Sequence, residues 1–220
     1  MHGLPCVFGP AAVRRTCALL PALWLALGSA ACALRAGAGA PAEEARAPAA
    51  ARAAAEADVR FMSGMIPHHA QAVLIASWAE SHEAGPAVRA LAERMLVSQR
   101  DEIEFMRRWL EDRGRPVPPV DPRGLLLPGM HHPEAMPGML TPEELAALDG
   151  ARGDAFDRLF LTLMIRHHEG ALQMVAELLA QPGAAQDEAV FRFAADVDAD
   201  QRAEIARMRA LLAASTAGGP

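Results

Sequence analysis

Apolar residues recur every three to four positions along four stretches of the chain, the spacing of an amphipathic helix, and no stretch alternates with the period of two that a strand requires. The first stretch runs from about Glu56 to Ser81 and breaks at Gly85-Pro86. The second continues to about Asp112, where Gly114 and the prolines after it stop it. Residues 115 to 140 are rich in Pro and Gly and read as a linker. It ends at Thr141-Pro142-Glu143-Glu144, which combines an N-cap, a proline at N1 and a capping-box glutamate ahead of a short helix. A third long helix is expected from about Asp154 to Ala180, broken by Pro182-Gly183, and a fourth from about Asp187 to Ala214.

The second pair of helices repeats the first. Phe61-Met62-Ser63-Gly64-Met65-Ile66-Pro67-His68-His69 aligns with Phe160-Leu161-Thr162-Leu163-Met164-Ile165-Arg166-His167-His168. Gln99, Glu102, Ile103, Met106 and Leu110 answer to Gln201, Glu204, Ile205, Met208 and Leu212. A duplicated hairpin closing on itself predicts an all-α fold, a ferritin-like four-helix bundle in up-down-up-down order. The bundle domain spans 56 to 214, with hairpins at 56 to 112 and 141 to 214 around a Met/His linker at 113 to 140.

Upstream, Arg14 and Arg15 precede an apolar run from Ala18 to Leu27 and the small residues Gly28-Ser29-Ala30-Ala31. This pattern predicts a signal peptide over 1 to 31 and export to the periplasm or cell envelope. Cys32 follows it directly, where a bacterial lipoprotein would carry its lipid anchor. Residues 33 to 55 hold almost no large apolar side chain, so 32 to 55 is expected to be a disordered tether. All three cysteines, Cys6, Cys17 and Cys32, lie at or before that boundary, which leaves the bundle without disulfides or thiolate ligands.

The net charge of −6, with no basic stripe interleaved with aromatics, excludes nucleic acid as a partner. No nucleophile triad, phosphate loop or thiol redox pair is present either.

At 100° per residue, Asp58, Phe61, Met65, His68, His69, Ala72 and Ala76 share one face of the first helix. Asp157, Phe160, Met164, His167, His168, Ala171 and Val175 share the matching face of the third. Two Met-His-His clusters therefore point into one interior. Burying an unpaired polar group costs about 2 to 7 kcal/mol, so such a stripe demands a compensating partner. A single buried histidine commonly finds one in the backbone or an acid, but a doublet recurring in both halves points to a metal ion. Imidazole with thioether suits Cu(I), whereas nearby carboxylates would complete a site for Cu(II), zinc or iron. Asp58, Asp157, Gln99, Glu102, Gln201 and Glu204 are expected around the ligands, where an acid can orient an imidazole ring. The linker adds Met130, His131, His132, Met136 and Met139 in a stretch with no core to fill, a metal-collecting segment, and Met62 extends the helical set.

At these residues the chain resembles the domain of unknown function 305 family, which includes exported copper-binding proteins thought to share the ferritin-like bundle. The resemblance covers roughly residues 56 to 213. It implies copper binding or copper tolerance in the envelope, carried by Met65, His68, His69, Met164, His167 and His168, with envelope copper-handling proteins as partners. Glu169 and Gly170 stand where the first half has Ala70 and Gln71, so the halves need not bind equally.

Three functions compete. A sequestering or delivery protein needs no turnover; a di-metal oxidoreductase would recruit Glu102, Glu204, Asp58 and Asp157; an adaptor bundle would bind no metal. The Glu-x-x-His pattern of ferritin-like di-iron enzymes is absent, which argues against the second.

Overall fold

The computed structural model describes residues 40–120 and 136–217. The chain divides into two compact units, residues 1–41 and 42–220, and the helix bundle belongs to the second. The elements are α1 (Ala40–Ser77), α2 (Pro86–Glu111), the short α3 (Pro142–Gly150), α4 (Gly153–Leu179) and α5 (Glu188–Ala217). Among the described residues there is no strand.

The helix ends follow local chemistry. Gly85-Pro86 opens α2 with proline at its first turn. The Thr141 hydroxyl accepts from the Glu144 N–H at 3.2 Å while the Glu144 carboxylate accepts from the Thr141 N–H at 2.9 Å, the reciprocal capping box. The start of α1 differs from the expected tether: the helix is already formed at Ala40. Alanine has the strongest intrinsic helix preference, and an Ala-rich segment extends a helix that its downstream turns have nucleated. Pro67 also stays inside α1, just before the histidine doublet, although an interior proline forfeits one helical hydrogen bond at a cost of about 3 kcal/mol.

Two carboxylates fix the direction of each helix. Asp58, in the first half of α1, accepts from the backbone N–H of Ala185 in the α4–α5 turn at 2.7 Å. Asp157, near the start of α4, accepts from the N–H of Gly85 in the α1–α2 turn at 3.0 and 3.1 Å. The start of each first helix thus meets the turn of the other hairpin, so α1 and α4 are antiparallel. Each hairpin is up-down as expected, but the hairpins follow one another as up-down-down-up.

The core has two apolar clusters. One holds Phe61, Met62, Met65, Ile66, Ile103, Met106, Trp109, Val175, Phe193 and Val197. The other holds Ala72, Ile75, Leu91, Met95, Phe156, Phe160, Met164, Ile205 and Met208. Every long helix passes from one cluster to the other, and on each the changeover falls at polar residues. These are His68, His69 and Gln71 on α1, Gln99 on α2, His167 and His168 on α4, and Gln201 on α5, all buried to within 2% exposure. A buried polar layer therefore crosses the middle of the bundle between two dry cores.

Candidate metal centre

The four imidazoles of that layer are brought together by the inward faces of α1 and α4. The rings of His68 and His167 face each other with centroids 4.0 Å apart and planes tilted by 38°. His69 and His168 lie outward of them, with centroids 6.2 and 6.1 Å from their neighbours in the doublets. The thioethers of the predicted set lie on opposite sides of the layer: Met65 and Met62 in one core, Met164 in the other, each fully enclosed.

On the α2 and α5 side each outer imidazole meets a glutamate. His168 Nε2 stands 2.6 Å from Glu204 Oε2 in a hydrogen bond. His69 Nε2 stands 2.7 Å from Glu102 Oε2, yet the approach lacks hydrogen-bond geometry and leaves both atoms unsatisfied. The two halves are thus alike in placement and unlike in satisfaction. His167 has neither ring nitrogen in a hydrogen bond of good geometry, and Nδ1 of His69 and of His168 and Oε1 of Gln99 are also unsatisfied. Burial holds the His167 pKa well below 6.5, the positive charge His68, His168 and His69 would carry adds to the effect, and only the nearby backbone of His68 opposes it. A buried imidazole held neutral is in the protonation state that binds metal.

His82 shows what a structural histidine looks like in this protein. It is buried as well, but its Nδ1 lies 2.9 Å from Ser81 Oγ and its Nε2 3.0 Å from the carbonyl and carboxylate oxygens of Asp149. Each orphaned buried polar atom costs about 1 to 3 kcal/mol. The layer concentrates such atoms on soft and borderline donors, and that fits a bound metal ion. Among the described residues no three His, Cys, Asp or Glu side chains are gathered closely enough to form a ready-made cage, so a coordination shell here would need thioethers or a small closure of the rings.

Residues 136–140 lie as a strap on the α1–α4 side. The Pro137 carbonyl lies 3.1 Å from His68 Nε2. The Gln71 side chain holds Leu140 at both backbone atoms, accepting from its N–H at 2.8 Å and donating to its carbonyl at 3.1 Å. Gly138, at φ +77, lies so close to α4 that a β-carbon there would stand 2.6 Å from the Arg166 carbonyl oxygen and 2.8 Å from that of His167. At Gly170 a β-carbon would overlap the Pro137 carbonyl. The Ala70-Gln71 and Glu169-Gly170 difference between the halves thus has a physical cause. One half supplies the amide that grips the strap and the other supplies the space that admits it. Met136 and Met139 on this strap are half-buried, and Met136 and Met174 both pack over Gly64. Met130, His131 and His132 lie outside the described residues.

Asp58 and Asp157 are not brought to the imidazoles. They share a helical face with them, but ten residues of helix separate each from its doublet, about 15 Å of rise, and their oxygens hold turn N–H groups instead. Gln99 and Gln201 lie in the layer, Glu102 and Glu204 at its edge. Sequence reasoning passed over Asp200, whose carboxyl burial and the fields of Glu102, Glu204 and Asp196 raise above its ordinary pKa. Its position one residue before Gln201 on α5 was the available signal.

The sequence pattern of the family described as Domain of unknown function (DUF305) matches residues 58–212. A DUF305 fragment from Deinococcus radiodurans is 32% identical, with a TM-score of 0.59 over 71% of this chain and 95% of that one. A DUF305 protein of Streptomyces coelicolor, described as a candidate secreted protein, is 27% identical, with a TM-score of 0.62 over 73% of this chain and 94% of that one. CopM in its Cu(II)-bound form is 30% identical, with a TM-score of 0.57 over 70% of this chain and 95% of that one. CopM has also been solved in Cu(I)-bound, Ag-bound and apo forms. An uncharacterised protein, L153, of Acanthamoeba polyphaga mimivirus is 34% identical over 56 residues, 26% of this chain and 37% of that protein's length.

Proposed function

The chain belongs to the DUF305 family, and from that premise we propose that it binds copper in the cell envelope, for sequestration or delivery rather than turnover. The observation that carries the proposal is the central polar layer, where the rings of His68 and His167 face each other 4.0 Å apart between apolar cores and neither ring nitrogen of His167 makes a hydrogen bond of good geometry. His82 in the same protein is fully partnered. The inner ligands are His68 and His167, with His69 and His168 beside them and the thioethers of Met65 and Met164 above and below. Neutral imidazole and thioether favour Cu(I), and Glu102 and Glu204 extend the set toward Cu(II). Support comes from CopM, a relative at 28 to 30% identity solved with Cu(I), Cu(II) and silver. Met136 and Met139, with Met130, His131 and His132, form the outer collecting segment.

The leader at 1 to 31 would direct export, with Cys32 the point of any lipid anchor. No described helix is long and apolar enough to cross a membrane.

The test is a competitive Cu(I) titration of the full chain against the His68→Ala/His69→Ala and His167→Ala/His168→Ala variants. Micromolar or tighter binding that weakens at least tenfold in both variants supports the reading. Unchanged binding in both removes it.

A further inference from the structure

The polar layer has two sides, and they are built differently. On the α1–α4 side the strap is fastened by Gln71 and packed without room for a β-carbon at Gly138 or Gly170. On the opposite side, between α2 and α5, an open groove of about 610 Å³ is lined by Asp101, Glu102, Phe105, Phe193, Asp196 and Asp200. Glu102 lines it, and Glu204 stands near enough to act on the groove-lining Asp200; the two are 16% and 18% exposed, and each touches a buried imidazole. These two carboxylates are where buried histidine meets solvent.

The groove carries more than a gathering of acids. His69 is 1% exposed; its Nε2 stands 2.7 Å from the groove-lining Glu102 carboxylate in a contact without hydrogen-bond geometry, and its Nδ1 has no hydrogen bond either. Asp200 sits in the fields of Glu102, Glu204 and Asp196, while the guanidinium of Arg192, also at the groove, is paired with Glu188. The lining therefore carries a net negative charge, four carboxylates against the one guanidinium of Arg192, with the buried His69 imidazole behind it.

Resting on the metal-binding reading above, we propose that the α2–α5 groove is the port through which a metal cation reaches the histidine layer. Asp196 and Asp200 attract the hydrated ion, and Glu102 and Glu204 pass it to His69 and His168. The strap on the other side is a seal. A channel lined by one sign of charge raises the local concentration of the opposite ion and its association rate, and the effect falls with ionic strength. The two hairpins thus supply two similarly placed acid–imidazole steps at one mouth, and Gln71 and Gly170 fasten the strap so that an ion held on it does not pass directly into the layer.

The test is stopped-flow mixing of the full chain with Cu(II), a cationic probe whose paramagnetism quenches tryptophan emission, at low and high salt. The variants are Asp196→Asn/Asp200→Asn in the groove and, separately, Gln71→Ala and Gly170→Ala at the strap. In the groove variant uptake at low salt should slow at least fivefold and lose most of its salt dependence, with the amount bound at saturation unchanged. The strap variants should take up Cu(II) at the wild-type rate. Uptake unchanged in the groove variant, or accelerated when the strap is loosened, overturns the assignment of the port. Should the strap variants fail to fold, the groove variant decides alone, since both its substitutions are on exposed residues. A wild-type chain that takes up no copper removes the metal-binding reading, and the port with it.

Discussion

His68 on α1 and His167 on α4 come from different hairpins, yet their rings lie 4.0 Å apart at the centre of the bundle. A positive charge on the buried His167 ring is opposed first by burial and then by the neighbouring histidines, so that ring is held in its neutral form. A metal ion bound between these rings would compete with protons for the same nitrogens.

This sets a pH dependence with a definite sign. The His167 pKa is well below 6.5 in the folded chain, while an unfolded chain returns it to about 6.5. Below that pH the unfolded state takes up a proton that the folded state refuses, so stability falls as pH drops through about 6.5 and continues to fall toward the folded value. Urea unfolding of the metal-free protein between pH 8 and pH 5 should show this loss, and His167→Leu should show less of it.

The two outer acid–imidazole pairs should not respond equally to truncation. His168 Nε2 is hydrogen-bonded to Glu204, whereas His69 and Glu102 are close but misaligned. Glu204→Ala should lower the stability of the metal-free protein by about 1 to 3 kcal/mol, the cost of orphaning a buried polar group. Glu102→Ala should cost distinctly less. Chemical denaturation of the two variants side by side reads the difference.

Asp58→Ala should destabilise by about 1 to 3 kcal/mol, because the Ala185 N–H it satisfies is left buried and unpaired. Asp157→Ala removes the acceptor of the Gly85 N–H and should act in the same direction. Neither should change copper affinity once folded. A tenfold loss of affinity in either would mean that these acids support the ligands after all.

Gly138 is held at φ +77 against the α4 carbonyls. Gly138→Ala should lower the unfolding free energy by about 1 to 3 kcal/mol or more, combining left-handed strain with a collision. Thermal denaturation against a Gly150→Ala control, where a β-carbon meets nothing, isolates the effect.

Much of this arrangement is legible in the residues. The repeat of Met65-Ile66-Pro67-His68-His69 in Met164-Ile165-Arg166-His167-His168 announces two like hairpins, and a 100° period places both doublets inward, where they lie. Three features are hidden, each for a physical reason. Helical-face arithmetic ignores distance along the axis, so it puts Asp58 on the same stripe as His68 although their partners are at different levels of the bundle. Low hydrophobicity before Glu56 suggests disorder, but alanine preference extends α1 to Ala40. The relative direction of the hairpins rests on the contacts of Asp58 and Asp157 with the turns, which periodicity does not encode; Gln71 and Gly170 are visible as a difference between the halves, but their meaning lies in the strap they hold.

Binding of a metal ion between the two histidine doublets, inside the bundle, is tested most directly by anomalous diffraction at the copper edge from crystals grown with Cu(I). The predicted result is a copper peak within bonding distance of ring nitrogens from both His68 and His167. Copper found only on the 130 to 139 segment, with the four buried imidazoles unliganded and unmoved, would contradict it.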